Sequence, residues 1–393
     1  MVTVSAPIKP PRFAHLHVHT EYSDLDGMTK IKDAVAAAAT DGQPGLAVTD
    51  HGSTAGTWEL AAAAKAAGIK PVLGIEAYLA IGSRFAPGTL DKRDGDTTKT
   101  ADYQHLTVLA RTRAGWRNLL LMHERPSTPA SKHPLIDYDL LTEHGDGLIV
   151  LTGCLGGPVA GPLARGDEAG ARAGLDALIA AVGKDNVYIE VMEHDVPDED
   201  GVAQRLADLG AEYGIDLVAT NDSHYTKAGH AHAHEAWLAI QTQSNLKAPR
   251  SERFCFKGEG YWLRTAAEMY ALREEDWWAQ ACANTVAVVD RIEDDLLGFD
   301  GRLRLPKFAV PPDCEGCARR RLRHPDDDIE LLHFDHLVLD GAKERYGSPL
   351  PAEVKDRLRA ERSVIVSMGM HGYFLIVAEM IGWARSQGIA TGP

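Results

Sequence analysis

The chain has 393 residues, 45% hydrophobic and 25% charged, the balance of a globular protein with two or three domains or one large barrel with an appendage. Its formal net charge of −15 argues against the broad basic surface of a non-specific nucleic-acid binder, although bound divalent cations would reverse the sign locally. No run of eighteen apolar residues suggests a membrane span and the first residues lack the pattern of a signal peptide; the five cysteines (Cys154, Cys255, Cys282, Cys314, Cys317), few, odd in number and mostly scattered, argue against a disulfide framework and for a reducing cytoplasm.

Residues 1–12 read as a Pro-rich lead-in, after which strands and helices alternate. The opening strand, 13–18, carries His15, His17 and His19 at every second position, which is one face of an extended chain, with Asp24 and Asp26 just beyond. A helix is expected at 29–41 and a short strand at 45–49, ending in Asp50-His51-Gly52. An Ala-rich helix follows at 57–67, closed by Gly68, then a strand at 70–81 that contains Glu76. The polar stretch 82–102 reads as a mobile loop. Next come a strand at 105–110, a helix at 113–124 and a strand at 147–152 that runs into Gly153-Cys154. A helix at 167–182, a strand at 187–191 and a helix at 199–213 lead to a strand at 215–220, which ends in Asn221-Asp222-Ser223-His224; a helix at 229–242 follows. About seven such units in series predict a parallel α/β sheet, most simply a closed barrel. After residue 285 the pattern changes. Residues 302–312 are extended and Pro-rich, and 313–330 are highly charged, with Arg319, Arg320, Arg321 and Arg323 ahead of Asp326, Asp327 and Asp328. Amphipathic helices are expected at 331–346 and 351–386, in a second domain covering 286–393.

The metal-type residues fall at or beside the predicted strands: His17, His19 and Asp26 with the first, His51 after the second, Glu76 in the third, His105 opening the fourth, Cys154 after the fifth, and Asp222 and His224 after the last. In an α/β barrel the strand ends converge on one face, so these side chains are expected to form one centre. Imidazoles, carboxylates and one thiolate suit zinc, manganese or iron better than calcium. The set is too large for one tetrahedral ion and suits two or three, an arrangement that serves phosphoester hydrolysis.

In order along the chain, His-Leu-His-Val-His-Thr, Leu-Asp-Gly, Val-Thr-Asp-His-Gly, Gly-Ile-Glu-Ala-Tyr, His-Leu-Thr-Val-Leu-Ala, Leu-Thr-Gly-Cys and Ala-Thr-Asn-Asp-Ser-His resemble the successive motifs of the PHP (polymerase and histidinol phosphatase) domain, in the form found in C-family replicative DNA polymerases, the DNA polymerase III alpha family. The resemblance covers about 13–285, and Leu305-Pro-Lys-Phe308 and Met368-Gly-Met-His-Gly-Tyr-Phe-Leu-Ile-Val377 resemble the entry into the palm of those enzymes. It implies a distorted (β/α)7 barrel followed by the beginning of a palm region. It also implies a trinuclear centre. His17, His19, Glu76 and Asp222 would hold one ion, Asp26, His51 and His224 a second, and Glu76, His105 and Cys154 a third, with Glu76 bridging. Every ligand position of the family is filled, which implies a metal-dependent 3′→5′ exonuclease acting on the DNA 3′ end for proofreading. Its nucleophile would be a metal-bound hydroxide, with no separate side-chain base. His15 and Asp24 stand outside the ligand set. The partners implied are the remainder of the polymerase subunit and other replicase subunits. The chain stops at Gly392-Pro393, where the family's Gly-Arg-Gly-Ser phosphate-binding loop is expected to begin, so this polypeptide alone is not expected to polymerise. The rival readings are a histidinol-phosphate or nucleotide phosphatase of the same superfamily, and a non-catalytic domain that stabilises the polymerase or docks a separate proofreading subunit.

Four features are read as bystanders. His230, His232 and His234 begin a helix, where only His230 and His234 share a face, and are expected to be solvated. Cys314 and Cys317 form a C-x2-C pair, but the spacing to His324, His333 and His336 is irregular, so no zinc knuckle is expected. The arginines at 319–323 read as a solvated face beside the acidic run. Trp277 and Trp278 read as packing residues and not as a base-stacking platform.

Overall fold

The computed structural model describes residues 12–94, 97–125, 128–129, 131–298, 305–322 and 328–392. The lead-in up to residue 11, and Arg323, His324, Asp326 and Asp327 of the charged segment, lie outside them. The chain divides into two compact units, 1–298 and 299–393.

In the first unit the strands are β1 (Gly45–Val48), β2 (Lys70–Ala80), β3 (Gly82–Ser83), β4 (Ala86–Pro87), β5 (Leu90–Asp94), β6 (Thr97–Ala101), β7 (Tyr103–Ala110), β8 (Leu135–Ile136), β9 (Leu148–Leu151), β10 (Val187–Val191) and β11 (Leu217–Ala219). The helices are α1 (Ile31–Thr40), α2 (Thr57–Ala67), α3 (Arg113–Glu124), α4 (Tyr138–His144), α5 (Ala160–Ala164), α6 (Glu168–Val182), α7 (Pro197–Tyr213), α8 (Ala231–Gln241), α9 (Ala266–Tyr270) and α10 (Asp276–Arg291). Short polar side chains start several of them. Thr112, Asp137 and Asp167 accept the backbone N–H of Gly115, Leu140 and Gly170, and Thr265 with Glu268 forms a capping box.

The main sheet runs β1-β2-β7-β9-β10-β11, with β8 paired to the end of β2. The opening segment is not a continuous strand, but it closes the circuit. His15 bridges Leu46 of β1, and Val18 bridges Ser223 beyond β11. The Ala47 and Thr49 N–H groups donate to the His15 and Val18 carbonyls at 2.8 and 2.9 Å, and the His19 N–H donates to the Ser223 carbonyl at 2.8 Å. Strand interiors such as Leu148–Leu151 and Val187–Val191 are buried throughout, as expected where helices cover a curled sheet.

The sheet departs from the expected all-parallel order at one strand. β7 runs antiparallel to both neighbours, β2 and β9, while β1–β2, β9–β10 and β10–β11 are parallel. The reason lies in the connection. A parallel pair needs a crossover, normally a helix, whereas β2 and β7 are joined through 82–102, which forms the hairpins β3–β4 and β5–β6 where a loop was expected. The expected division at 285–286 would cut α10. That helix is continuous, with Trp278, Ala281, Cys282, Val286, Val288 and Val289 buried, and it stays whole in the first unit.

The second unit contains α11 (Glu315–Arg321), α12 (Ile329–Tyr346), α13 (Ala352–Ser367) and α14 (His371–Ser386). The single helix expected over 351–386 is interrupted at 368–370, where Gly369 takes φ +66°, the left-handed conformation that ends helices. No single helix among the described residues is long and apolar enough to cross a membrane.

Candidate metal centre

The reversal of β7 shapes the site. His105 stands near the start of its strand, which in an all-parallel barrel is the end away from the other candidates. Because β7 is antiparallel, that start lies level with Tyr78 near the end of β2. Glu76, in the same stretch of β2, is almost fully buried and occupies the middle of the cluster. Its Oε1 lies 2.8 Å from His105 Nδ1 and 3.5 Å from His17 Nε2; its Oε2 lies 2.6 Å from His51 Nδ1 and 3.8 Å from His19 Nε2. Asp222 Oδ1 sits 3.1 Å from His19 Nε2, 3.4 Å from His17 Nε2 and 3.6 Å from His224 Nδ1. Asp26 Oδ2 sits 2.6 Å from His51 Nε2 and 3.4 Å from His224 Nε2. Three overlapping donor sets therefore gather within ligating reach: His17, His19 and Glu76; His19, His51 and His224; and His51, Glu76 and His105.

Cys154 is the loosest member. It lies beside the His105 end of the cluster across Gly156, whose missing Cβ would stand 3.5 Å from the thiol and 3.6 Å from the His105 ring. His15 stays outside. Its Nε2 meets the Arg264 carbonyl at 2.7 Å, and burial lowers its pKa to about 4.

Local backbone conformation places the two aspartates. Asp222 adopts φ +41°, a left-handed conformation that a non-glycine residue rarely takes and that recurs at functional sites. Asp26 sits between Leu25, at φ +60°, and Gly27, where a Cβ would come within 2.1 Å of the Thr20 carbonyl oxygen.

A shell of polar groups holds the histidines. Glu190 is fully buried and accepts four bonds: from His17 Nδ1 and Thr220 Oγ1, both at 2.7 Å, on Oε1, and from the Gly153 N–H at 2.9 Å and Thr107 Oγ1 at 3.2 Å on Oε2. With its Nδ1 proton committed to Glu190, a neutral His17 presents a bare Nε2 to the cluster. His19 is set the same way. Ser23 Oγ donates to Asp50 Oδ1 at 2.7 Å and so accepts from His19 Nδ1 at 3.0 Å. Two ring nitrogens then face each other at 3.1 Å. Asp26 Oδ1, His51 Nδ1, Glu76 Oε2, Asp222 Oδ1 and His224 Nε2 are all buried without an aligned hydrogen bond. His51 Nδ1 and Glu76 Oε2 approach to 2.6 Å unaligned. Buried polar atoms are normally paired. Lone pairs crowded around common points are the arrangement that cations satisfy, and imidazoles oriented by carboxylates are characteristic of metal ligands.

The charges are tightly linked. Burial pulls His17 and His51 down, but the carboxylates, led by Glu190 for His17 and Glu76 for His51, outweigh it and raise both well above the usual histidine value. His224 is raised likewise, by Asp222 and Asp26 against burial. Burial together with neighbouring His51 and His224 lowers His19 to about 3. Burial pushes Asp26, Glu76 and Asp222 up, and the surrounding imidazoles, led by His224, His105 and His17 respectively, bring all three below the usual carboxylate range. Burial, and then the charge of Glu76, raise the Cys154 thiol well above its usual value.

Sequence reasoning passed over Glu190, Ser23 and Asp50. A signal for Glu190 was present: one carboxylate inside the otherwise apolar Val-Tyr-Ile-Glu-Val strand. The expectation for His234 was wrong. It is buried, its Nε2 meets the Asp26 carbonyl at 2.9 Å, and its ring lies 5.7 Å from that of His224. His232 is exposed, as expected for a solvated helix end. Trp278 is fully buried with its Nε1–H donating to the Met269 carbonyl at 2.8 Å, and Arg319 and Arg321 are exposed.

Comparison with known proteins shows what the chain is similar to. Residues 15–194 match the PHP domain, and residues 332–393 match the bacterial DNA polymerase III alpha NTPase domain. The DNA polymerase III subunit alpha of Mycobacterium tuberculosis (strain ATCC 25618 / H37Rv) is 37% identical over 388 residues, 97% of this chain and 31% of the relative. That of Thermus aquaticus is 35% identical over 426 residues, 97% of this chain and 34% of the relative. Among solved structures, an amidohydrolase from Chromobacterium violaceum covers 54% of this chain and 87% of its own, at 17% identity and a TM-score of 0.33, a likeness too slight to carry an argument. The chain thus carries a PHP domain and is related along 97% of its length to DNA polymerase III alpha subunits, of which it spans about a third.

Proposed function

We propose that the first unit is a metal-dependent phosphodiesterase that removes nucleotides from a DNA 3′ end, the proofreading 3′→5′ exonuclease of a replicative polymerase. The observation that carries this reading is the buried cluster around Glu76, in which lone pairs of His51, Asp26, Asp222 and His224 stand unsatisfied at close range. Zinc, manganese or iron suits its mixture of imidazole and carboxylate. His17, His19, Glu76 and Asp222 would hold one ion, Asp26, His51 and His224 a second, and His105 and Cys154 with Glu76 a third. Such ions polarise a phosphoryl oxygen and lower the pKa of water toward neutrality. The chain's own part is to fix the donors. Glu190 and Ser23 commit the Nδ1 protons of His17 and His19 and leave their Nε2 atoms bare, while His234 anchors the Asp26 backbone.

The relation to DNA polymerase III alpha subunits extends through 332–393, which favours DNA over a small phosphate ester as the substrate. It also supports reading the second unit as the approach to a palm region, with the rest of a polymerase subunit and other replicase subunits as partners in the cytoplasm. The test is to measure metal content and then the degradation of a 3′-mismatched primer with and without manganese. The wild-type chain is expected to bind metal and shorten the primer, and Asp222→Asn and His51→Ala to lose both. Absence of both metal and degradation in the wild type would overturn the reading.

A further inference from the structure

The second unit brings together residues that sequence spacing kept apart. Cys314 and Cys317 lie at the start of α11, and His333 is on α12. His333 Nδ1 is 3.4 Å from Cys314 Sγ and 3.2 Å from Cys317 Sγ, and the three donor atoms lie within 4.8 Å of one another. In a tetrahedral zinc site, bond lengths of about 2.3 Å to sulfur and 2.05 Å to nitrogen put the two ligand atoms about 3.6 Å apart, close to what is seen. The Cys317 N–H donates to Cys314 Sγ at 3.3 Å, a bond that favours a thiolate there. Cys317 and His333 are buried, and the Phe308 ring stacks on His333 with centroids 5.6 Å apart. His336, one turn further along α12, lies over the same loop, and its ring atoms fill the place where Gly316 lacks a Cβ, 2.4 Å from that position. Its Nδ1 is held by Asp340 Oδ2 at 2.9 Å, which leaves Nε2 as the free donor of the ring.

We infer that Cys314, Cys317 and His333, whose donor atoms already lie within 4.8 Å of one another, form a structural zinc site that ties α11 to α12, with His336 beside it as the side chain that closes in to complete the set. Two thiolates and two imidazoles are a set that selects zinc, and a closed set of four protein ligands contributes to folding and leaves no position for catalysis. The carboxylate on His336 Nδ1 supplies the support that ligating histidines usually have. The inference is independent of the centre in the first unit.

The test uses the whole 393-residue chain, reduced, loaded with zinc and dialysed. Cys314→Ser/Cys317→Ser is expected to carry one zinc equivalent fewer than the wild type, with the primer-shortening activity of the first unit unchanged. Because that variant can fail to fold, a second measurement is made on the wild type alone: alkylation of each cysteine, mapped by mass spectrometry. Zinc should slow alkylation at Cys314 and Cys317 tenfold or more and leave Cys282 and Cys255 unaffected. His336→Ala should lose this zinc to a chelator at least tenfold faster. Equal zinc content in wild type and double variant, or alkylation at Cys314 and Cys317 that is indifferent to zinc, would overturn the site. Zinc retention unchanged in His336→Ala would overturn the fourth ligand.

Discussion

Glu190→Gln tests the tautomer argument at the centre of the site. The substitution keeps volume and shape but replaces one acceptor oxygen with a donor nitrogen. All four partners of Glu190 now donate to it: Gly153 N–H, Thr107 Oγ1, Thr220 Oγ1 and His17 Nδ1. The Gly153 N–H can only donate, so an amide nitrogen placed against it leaves two donors face to face in a buried site, at a cost of about 1–3 kcal/mol. The nitrogen is therefore driven to the other side, towards Thr220 and His17. A threonine hydroxyl can rotate to accept. His17 can accept only by moving its proton from Nδ1 to Nε2, the atom that faces Glu76, Asp222 and His19. That atom then has no lone pair for an ion. Loss of such supporting bonds typically weakens metal binding 10- to 100-fold, about 1.4–2.7 kcal/mol. The assay is competition with a chelator of known affinity, alongside primer shortening at increasing metal concentration. Glu190→Gln should need 10 to 100 times more metal to reach the wild-type rate, while Glu190→Asp should fall between the two. Wild-type metal affinity in a folded Glu190→Gln protein would refute the claim that Glu190 fixes the state of His17.

Three further outcomes follow from buried groups. His15 has its pKa lowered from 6.5 to about 4, so its contribution to stability is present above 6.5 and is lost as the pH falls through about 4; the loss reaches about 3 kcal/mol. Chemical denaturation between pH 7 and pH 4 should show it, and His15→Gln should flatten that part of the profile. His234→Phe leaves the Asp26 carbonyl without its donor and should cost about 1–3 kcal/mol in the same measurement, with weaker metal retention. Gly27→Ala drives a Cβ to 2.1 Å from the Thr20 carbonyl oxygen, so the Asp26 loop must shift. About 1–3 kcal/mol of stability should be lost, together with metal content, whereas Gly42→Ala, where a Cβ meets nothing within 4 Å, should leave metal content unchanged.

The strands and most helices of the first unit were legible because each is a short apolar run or an amphipathic stretch bounded by glycine or a capping residue. The direction of β7 was not. His105-Leu-Thr-Val-Leu-Ala110 reads the same in either sense, and the hairpins that reverse it are built from polar residues that resemble a loop. The ligand-type residues could be recognised by chemistry and by their positions beside strands. Those that act through others were harder to read: the lone carboxylate in an apolar strand marks Glu190 without showing its partners, and Ser23 and Asp50 owe their roles to contacts that only the fold makes. His234 was misjudged for a related reason. Helical spacing tells which histidines share a face, and only the fold shows that this face meets the Asp26 loop.

If the proposed ligands hold ions, protons and cations compete for the same lone pairs in this centre, so pH should act in opposite directions on the metal-free and metal-loaded protein. In the metal-free protein the carboxylates raise His17, His51 and His224. Each of these groups adds stability that is fully present below the unfolded histidine value of 6.5, and the contribution is lost as the pH rises through the raised folded value. The carboxylates themselves, with depressed values, stay ionised over this range and add no slope. On the proposed ligand assignment, metal binding needs bare imidazoles and a deprotonated Cys154, whose thiol is raised, so ions displace protons and bind more tightly as the pH rises. Tighter binding to the folded state is added stability. Thermal unfolding from pH 6.5 to pH 9 should therefore show the metal-free chain losing stability while the zinc- or manganese-loaded chain holds or gains it, with proton release on loading largest at the low end. Parallel pH slopes for the two forms would mean that the raised histidines do not lie where the ions bind, and the ligand assignment would have to be withdrawn.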